Sequence, residues 1–119
     1  MTLIIGIGTR RDVTSQEVID AISKALEETG YSLNEISLLA SAKMKENETG
    51  LLDAANILDI RIQFIPHEIL NQYKSPTISQ ASRFGLNGVA EPSAMALSEK
   101  KELLLRKRKY GRVTIAIAE

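Results

Sequence analysis

The chain opens on a β-branched, apolar run, Thr2–Ile7, which reads as a buried strand. Gly6 and Gly8 are expected to end this strand and to open a loop, Gly8–Val13. Thr14-Ser15-Gln16-Glu17 then forms a capping box, in which the Thr14 hydroxyl accepts from the Glu17 amide and Glu17 reaches back. Val18, Ile19, Ile22, Ala25 and Leu26 recur at helical spacing, predicting a helix over about 15–28 that Gly30 closes. A strand, a glycine-marked loop and a helix in that order make half of a βαβ unit.

Ile36–Ala40 is the next apolar run and a second strand, followed by a polar loop at Ala42–Thr49. A helix is expected over Gly50–Leu58, with Leu51, Leu52, Ala55 and Leu58 inward. Ile60–Ile65 alternates apolar and polar positions, so it reads as a third strand with one wet face, ended by Pro66. Glu68–Tyr73 reads as a short helix and Lys74–Thr77 as a connector. A further helix is expected from a Ser79 cap through Arg83, ending near Gly85. Pro92 suits the first turn of a helix running to Leu97. Two final segments, Glu102–Lys109 and Arg112–Ala118, flank Tyr110-Gly111 and predict a hairpin. In the last strand Val113, Ile115 and Ile117 share one face. Thr114, Ala116 and Ala118 share the other, and their small size predicts close packing against a helix. The expected fold is therefore α/β: a single three-layer domain over 1–119, with a mostly parallel sheet, helices on both faces and a C-terminal antiparallel hairpin.

Composition narrows the chemistry. The 119 residues include no cysteine and one histidine, His67, which excludes thiol catalysis, thiolate metal sites and disulfides. A dedicated protein metal site is not expected from such a donor set. Fifteen basic and fifteen acidic residues cancel, so no global field draws the chain to nucleic acid or to a membrane surface. Aromatic residues make up only 4% and there is no tryptophan, which argues against a base-stacking platform. No apolar stretch approaches the length of a bilayer span, and Met1–Ile7 lacks the basic start of a secretion signal. A cytoplasmic location is the expectation.

In an open α/β sheet, ligands bind beyond the carboxyl ends of the strands. Three loops qualify: Gly8–Val13 with Arg10 and Arg11, Ser41–Thr49 with Lys43, Lys45 and Glu48, and Leu86–Glu91 leading into the Pro92 helix. Cations and helix N-termini on one rim favour carboxylates and phosphates. Each feature also has a plainer reading. Arg10 and Arg11 can be solvated loop residues, and Lys45 with Glu48 can be a surface pair. Glu91 can serve a helix dipole, and His67 can be a surface residue at a strand end. The basic residues between positions 100 and 112 can be a solvated hairpin tip instead of a nucleic-acid patch. Gly6-Ile7-Gly8 lacks the third glycine of a dinucleotide fingerprint, and no Walker-type Gly-Lys-Ser/Thr occurs.

In this order the loops carry a resemblance. Gly6-Ile7-Gly8-Thr9-Arg10-Arg11, Lys45-x-x-Glu48-x-Gly50-Leu51 with Ala54-Ala55, Ser79, Gly85, Val89-Ala90-Glu91-x-x-Ala94 and the closing strand Val113–Ala118 stand in register over the whole chain. The pattern resembles the C-terminal domain of the cobalamin-biosynthesis proteins CbiG and the related stand-alone protein CobE. Thr9 stands where that family has cysteine, Asp12 where glycine is common after the arginines, and Gly88 where relatives often have serine. The resemblance implies the anaerobic cobalamin pathway. Full-length CbiG proteins, which carry further N-terminal and central domains, are associated with opening the δ-lactone of cobalt-precorrin-5A and releasing acetaldehyde.

The expected ligand is then a tetrapyrrole whose acetate and propionate groups pair with Arg10, Arg11, Lys43 and Lys45. Cobalt is met only within the substrate, with no other cofactor. Gly6, Gly8, Thr9, Ser41, Gly50, Ser79, Gly88, Val89 and Ala90 complete the expected binding surface. Glu48 and Glu91 are the candidate bases for activating water, and amides of a Gly6–Arg10 turn or of the Pro92 helix start are candidate oxyanion donors. The expected partners are other cobalamin-pathway proteins that supply the further CbiG domains. A non-catalytic tetrapyrrole carrier is the alternative function.

Overall fold

A computed structural model describes residues 2–73 and 89–119. The elements in chain order are β1 (Leu3–Thr9), α1 (Ser15–Thr29), β2 (Ile36–Ala42), α2 (Thr49–Leu58), β3 (Ile62–Ile65), α3 (His67–Leu70), α4 (Ala90–Leu97), β4 (Leu103–Tyr110) and β5 (Val113–Ala118). The expected helix from Ser79, with Gly85 and Gly88, lies outside the described residues.

The five strands form one sheet in the order β3-β2-β1-β5-β4. β1, β2 and β3 run parallel, and the β4–β5 hairpin joins β1 antiparallel, with Ile5 opposite Ile117 and Thr9 opposite Val113. The sheet is thus mixed, its parallel half on one side of β1 and its antiparallel half on the other. Leu3, Ile5, Ile7, Leu39, Ile115 and Ile117 line one face and pack with buried residues of α1 and α2. Ile4, Ala40 and Ala118 line the opposite face and pack with Ala94 of α4. The small residues that set β5 apart in the sequence do meet a helix.

Local chemistry explains the first helix. The Thr14 hydroxyl accepts from the Glu17 amide at 3.1 Å, and Glu17 accepts from the Thr14 amide at 3.0 Å. Gly30 ends the helix at φ 82° and donates to Leu26 at 2.8 Å. Other expectations need correction. Gly6 and Gly8 do not end β1, which continues to Thr9 because β2 and β5 pair with it on both sides. A Cβ at Gly6 would lie 2.8 Å from the amide nitrogen of Ala94 and 2.9 Å from the carbonyl carbon of Ala90, with the Ala90 oxygen nearer still. The glycine is there so that the α4 backbone can press on the sheet.

The third strand is shorter than expected because the Ile60 amide donates to Ala55 and finishes the C-terminus of α2. Leu52, expected inward, is 40% exposed. The short helix after Pro66 begins at His67 and ends at Leu70. The hairpin turns on Gly111-Arg112 and not on Tyr110-Gly111, with Gly111 supplying the left-handed conformation at φ 63°.

Candidate site at the carboxyl rim of the sheet

The carboxyl ends of β1 and β2 feed two neighbouring loops. From β1 the chain passes through Arg10, Arg11, Asp12 and Val13 into α1. From β2 it passes through a 3-10 turn at Lys43–Lys45 into α2. The loops touch: the Asp12 amide donates to Glu48 Oε1 at 2.7 Å. A Cβ at Gly50 would lie 2.9 Å from the carbonyl carbon of Val13, so the first turn of α2 runs directly beneath the loop. The start of α4 completes the rim, with Val89 Cβ 3.7 Å from the position a Cβ of Gly8 would take. Because β5 is antiparallel, its hairpin turn reaches the same rim, and the Arg10 amide donates to the Arg112 carbonyl at 3.1 Å.

The cations on this rim fall into two groups. Arg10 and Arg11 are exposed and Lys45 is half-buried, and among the described residues their side chains make no ion pair. Lys43 pairs with Glu46 at 3.2 Å, so the surface pair of this turn is Lys43–Glu46 and not Lys45–Glu48. Arg112, read in the sequence as part of a solvated tip, is fully engaged. Its Nε donates to Glu17 Oε2 at 2.8 Å and a second nitrogen bonds Glu17 Oε1, while Nη2 donates to the Asp12 carbonyl at 3.2 Å. The guanidinium beside it, together with the Thr14 amide, holds the Glu17 carboxyl down to about 2 from an ordinary 4.5. Other members of the basic run are also committed. Arg108 pairs with Glu28, Lys100 pairs with Glu119 at 3.4 Å, and Lys101 Nζ caps α4 at the Met95 carbonyl, 2.9 Å away.

The two candidate carboxylates are both tied to backbone. Glu48 holds the Asp12 amide. Glu91, in the first turn of α4, is completely buried and accepts from the Lys107 amide at 3.0 Å. That amide lies where β4 slips register against β5, so Glu91 binds a donor that the strand ladder leaves over. The expected Gly6–Arg10 turn is not a turn. Gly6–Thr9 belong to β1, and the Arg10 amide just beyond it is already bonded. Pro92 lies in the first turn of α4, where its missing amide costs nothing, and the neighbouring Ala90 amide belongs to the helix start. Ser41, expected to touch ligand, is buried and donates to the Ile7 carbonyl at 2.7 Å, stitching β2 to β1. Ala90 is buried against Gly6. Thr9 ends β1 with its hydroxyl buried and without a hydrogen-bond partner. His67 is exposed at the start of α3. Ser79 and Gly88 lie outside the described residues.

The family model described as cobalamin synthesis G C-terminus matches residues 3–118. The chain belongs to that family. It is 32% identical over 118 residues to cobalt-precorrin-5A hydrolase from Priestia megaterium, covering 98% of this chain and 32% of the relative. It is 26% identical over 107 residues to protein CobE from a Sinorhizobium species, covering 87% of this chain and 70% of CobE. The crystal structure of a CobE from the cobalamin pathway superposes with a TM-score of 0.86 at 33% identity, covering 98% of this chain and 88% of that one. Cobalamin biosynthesis protein chiG from Agrobacterium tumefaciens gives a TM-score of 0.77 at 28% identity, covering 97% of this chain and 95% of that one.

The chain spans about a third of the length of the hydrolase and most of the length of CobE. Its role lies in cobalamin biosynthesis. Asp12 adopts φ 60°. This left-handed region favours glycine, and aspartate is among the few other residues that tolerate it. No helix among the described residues is long and apolar enough to cross a membrane.

Proposed function

We propose that this domain binds a cobalt-precorrin through its acetate and propionate groups and takes part in opening the δ-lactone of cobalt-precorrin-5A. The observation that carries the reading is the pair of exposed arginines, Arg10 and Arg11, held on a backbone-anchored loop at the carboxyl rim. Lys45 follows β2 on the same rim, and the N-terminus of α4 completes it. Guanidinium forks and helix N-termini both select carboxylates. The similarity to a cobalt-precorrin-5A hydrolase supports this choice of substrate class. Cobalt enters inside the substrate, and no protein ligand to it is proposed.

Lactone hydrolysis needs an activated water and a home for the oxyanion. The Ala90 amide at the start of α4 is the better oxyanion candidate, because the amides of β1 are committed to the sheet. Glu48 and Glu91 remain the candidate bases, although each already spends an oxygen on a backbone amide. That commitment favours a second reading. In it the domain is a tetrapyrrole carrier or a subunit, and a separate pathway protein carries the chemistry.

The deciding experiment incubates the purified chain with cobalt-precorrin-5A and follows acetaldehyde and tetrapyrrole absorbance together. Acetaldehyde, lost in Glu48→Gln or Glu91→Gln, supports the hydrolase. A saturable spectral shift without acetaldehyde supports the carrier. Neither signal refutes both. The Arg10→Ala/Arg11→Ala variant is expected to weaken the spectral shift at least tenfold, since charge-assisted bonds contribute about 1.5–3 kcal/mol each.

A further inference from the structure

We propose that Glu48 and Arg112 are positioning residues that clamp residues 10–13 from two sides and thereby hold the arginine pair ready for an anionic ligand. The inference rests on the rim being a carboxylate-binding site. Residues 10–13 have no regular structure of their own, and Asp12 sits in the left-handed region at φ 60°. Such a conformation persists in a non-glycine residue only where its surroundings impose it. Here those surroundings are distant in sequence. Glu48, 36 residues away, takes the Asp12 amide at 2.7 Å. Arg112, 100 residues away, takes the Asp12 carbonyl at 3.2 Å and offers Nη1 to the Arg11 carbonyl at 3.5 Å. The Arg112 main chain takes the Arg10 amide.

Arg112 is itself held by a two-pronged pair with Glu17, whose carboxylate also belongs to the α1 capping box. The clamp therefore runs from the hairpin turn, through the helix cap and the loop, to the start of α2. All of these contacts are to the backbone of residues 10–12. The Arg10 and Arg11 side chains stay exposed and make no ion pair among the described residues. A rigid backbone under free guanidinium groups is what preorganised recognition requires, because ordering a loose loop would oppose binding.

The clamp predicts that Glu48 holds the loop through an acceptor oxygen and not through its charge, so loop order and ligand binding survive the loss of that charge. The test uses the full chain and uroporphyrin, a porphyrin with acetate and propionate side chains, titrated by visible absorbance. Hydrogen exchange of the Asp12 amide is measured in parallel. Glu48→Ala is expected to speed that exchange and to weaken uroporphyrin binding roughly tenfold, the ordering cost of a freed loop with two long side chains. Glu48→Gln, whose amide oxygen still accepts from Asp12, is expected to restore both. In an Arg10→Ala/Arg11→Ala background, Glu48→Ala should weaken binding no further, since its effect passes through the arginines.

Unchanged Asp12 exchange in Glu48→Ala would overturn the clamp. So would faster exchange with native affinity, or a Gln variant no better than Ala. If the native chain binds no uroporphyrin, the carboxylate-site reading fails and the functional half of this inference falls with it, while the exchange measurement still decides whether the clamp exists.

Discussion

Replacing Gly6 by alanine tests the central packing relation of the fold. Gly6 lies in the middle of β1, the central strand, and faces α4. A Cβ there would stand 2.8 Å from the Ala94 nitrogen and 2.9 Å from the Ala90 carbon, with the Ala90 oxygen closer still. All three are backbone atoms, so no side-chain rotation relieves the clash. Ordinary carbon contacts lie at about 3.5–4 Å, so α4 must withdraw by roughly an ångström along its length. That withdrawal loosens Ala94 from Ile4, Ala40 and Ala118. Overpacking of this kind costs about 1–3 kcal/mol, and the upper end applies where only backbone can give way.

For a chain of 119 residues the unfolding entropy near the midpoint is about 0.25 kcal/mol/K, so a loss of about 3 kcal/mol lowers Tm by roughly 12 °C. Gly8, two residues along the same face, is the internal control. Its Cβ would meet Val89 and Thr114 at 3.7 and 3.8 Å, which is ordinary contact. Thermal denaturation followed by circular dichroism should therefore separate Gly6→Ala from Gly8→Ala by about 10 °C. A Gly6→Ala protein melting within about 2 °C of Gly8→Ala would refute the claim that close backbone approach is what the glycine provides. The effect should also reach the rim, because the displaced helix begins beside Val89, which packs against Gly8.

Two further perturbations follow from the same geometry. Thr14→Ala removes the hydroxyl that accepts the Glu17 amide and should cost about 1 kcal/mol, read as a Tm drop of about 4 °C. The depressed Glu17 carboxyl stabilises the fold above the unfolded value near 4.5, and that contribution is lost as pH falls toward about 2. Native protein should therefore lose stability across this window more steeply than Glu17→Gln. Parallel slopes in urea titrations at successive pH values would show that the Arg112 pairing is not responsible.

Much of the fold was legible in the sequence, because the signals were local. The capping box at Thr14 and Glu17, the Gly30 cap, and the apolar runs of β1, β2 and β5 depend on residues within a few positions of each other. Even the packing of α4 on the sheet was foreshadowed by the small residue Ala118. The same locality misled at Gly6 and Gly8. A glycine at the end of an apolar run signals a turn unless another backbone lies across it, and nothing nearby in sequence announces α4. Ile60 failed as a strand residue for a related reason, since its amide was drawn into the preceding helix cap.

The candidate site divides along the same line. The residue types on the rim, Arg10, Arg11, Lys45 and the helix start before Pro92, follow from the order of strands and loops, because parallel topology carries those loops to one end of the sheet. What each charged group does was decided only in three dimensions. Lys45–Glu48 looked like a local pair, yet Glu48 reaches across 36 residues to the Asp12 amide. Arg112 looked like part of a solvated basic run, yet it spans about a hundred residues to hold Glu17 and the arginine loop. Glu91 looked like a helix-dipole residue, yet it is buried on a β4 amide left over by a slip in strand register. Hydrophobic periodicity and capping are short-range and survive as pattern. The partner of a charged side chain is whichever group the completed topology brings within hydrogen-bond distance.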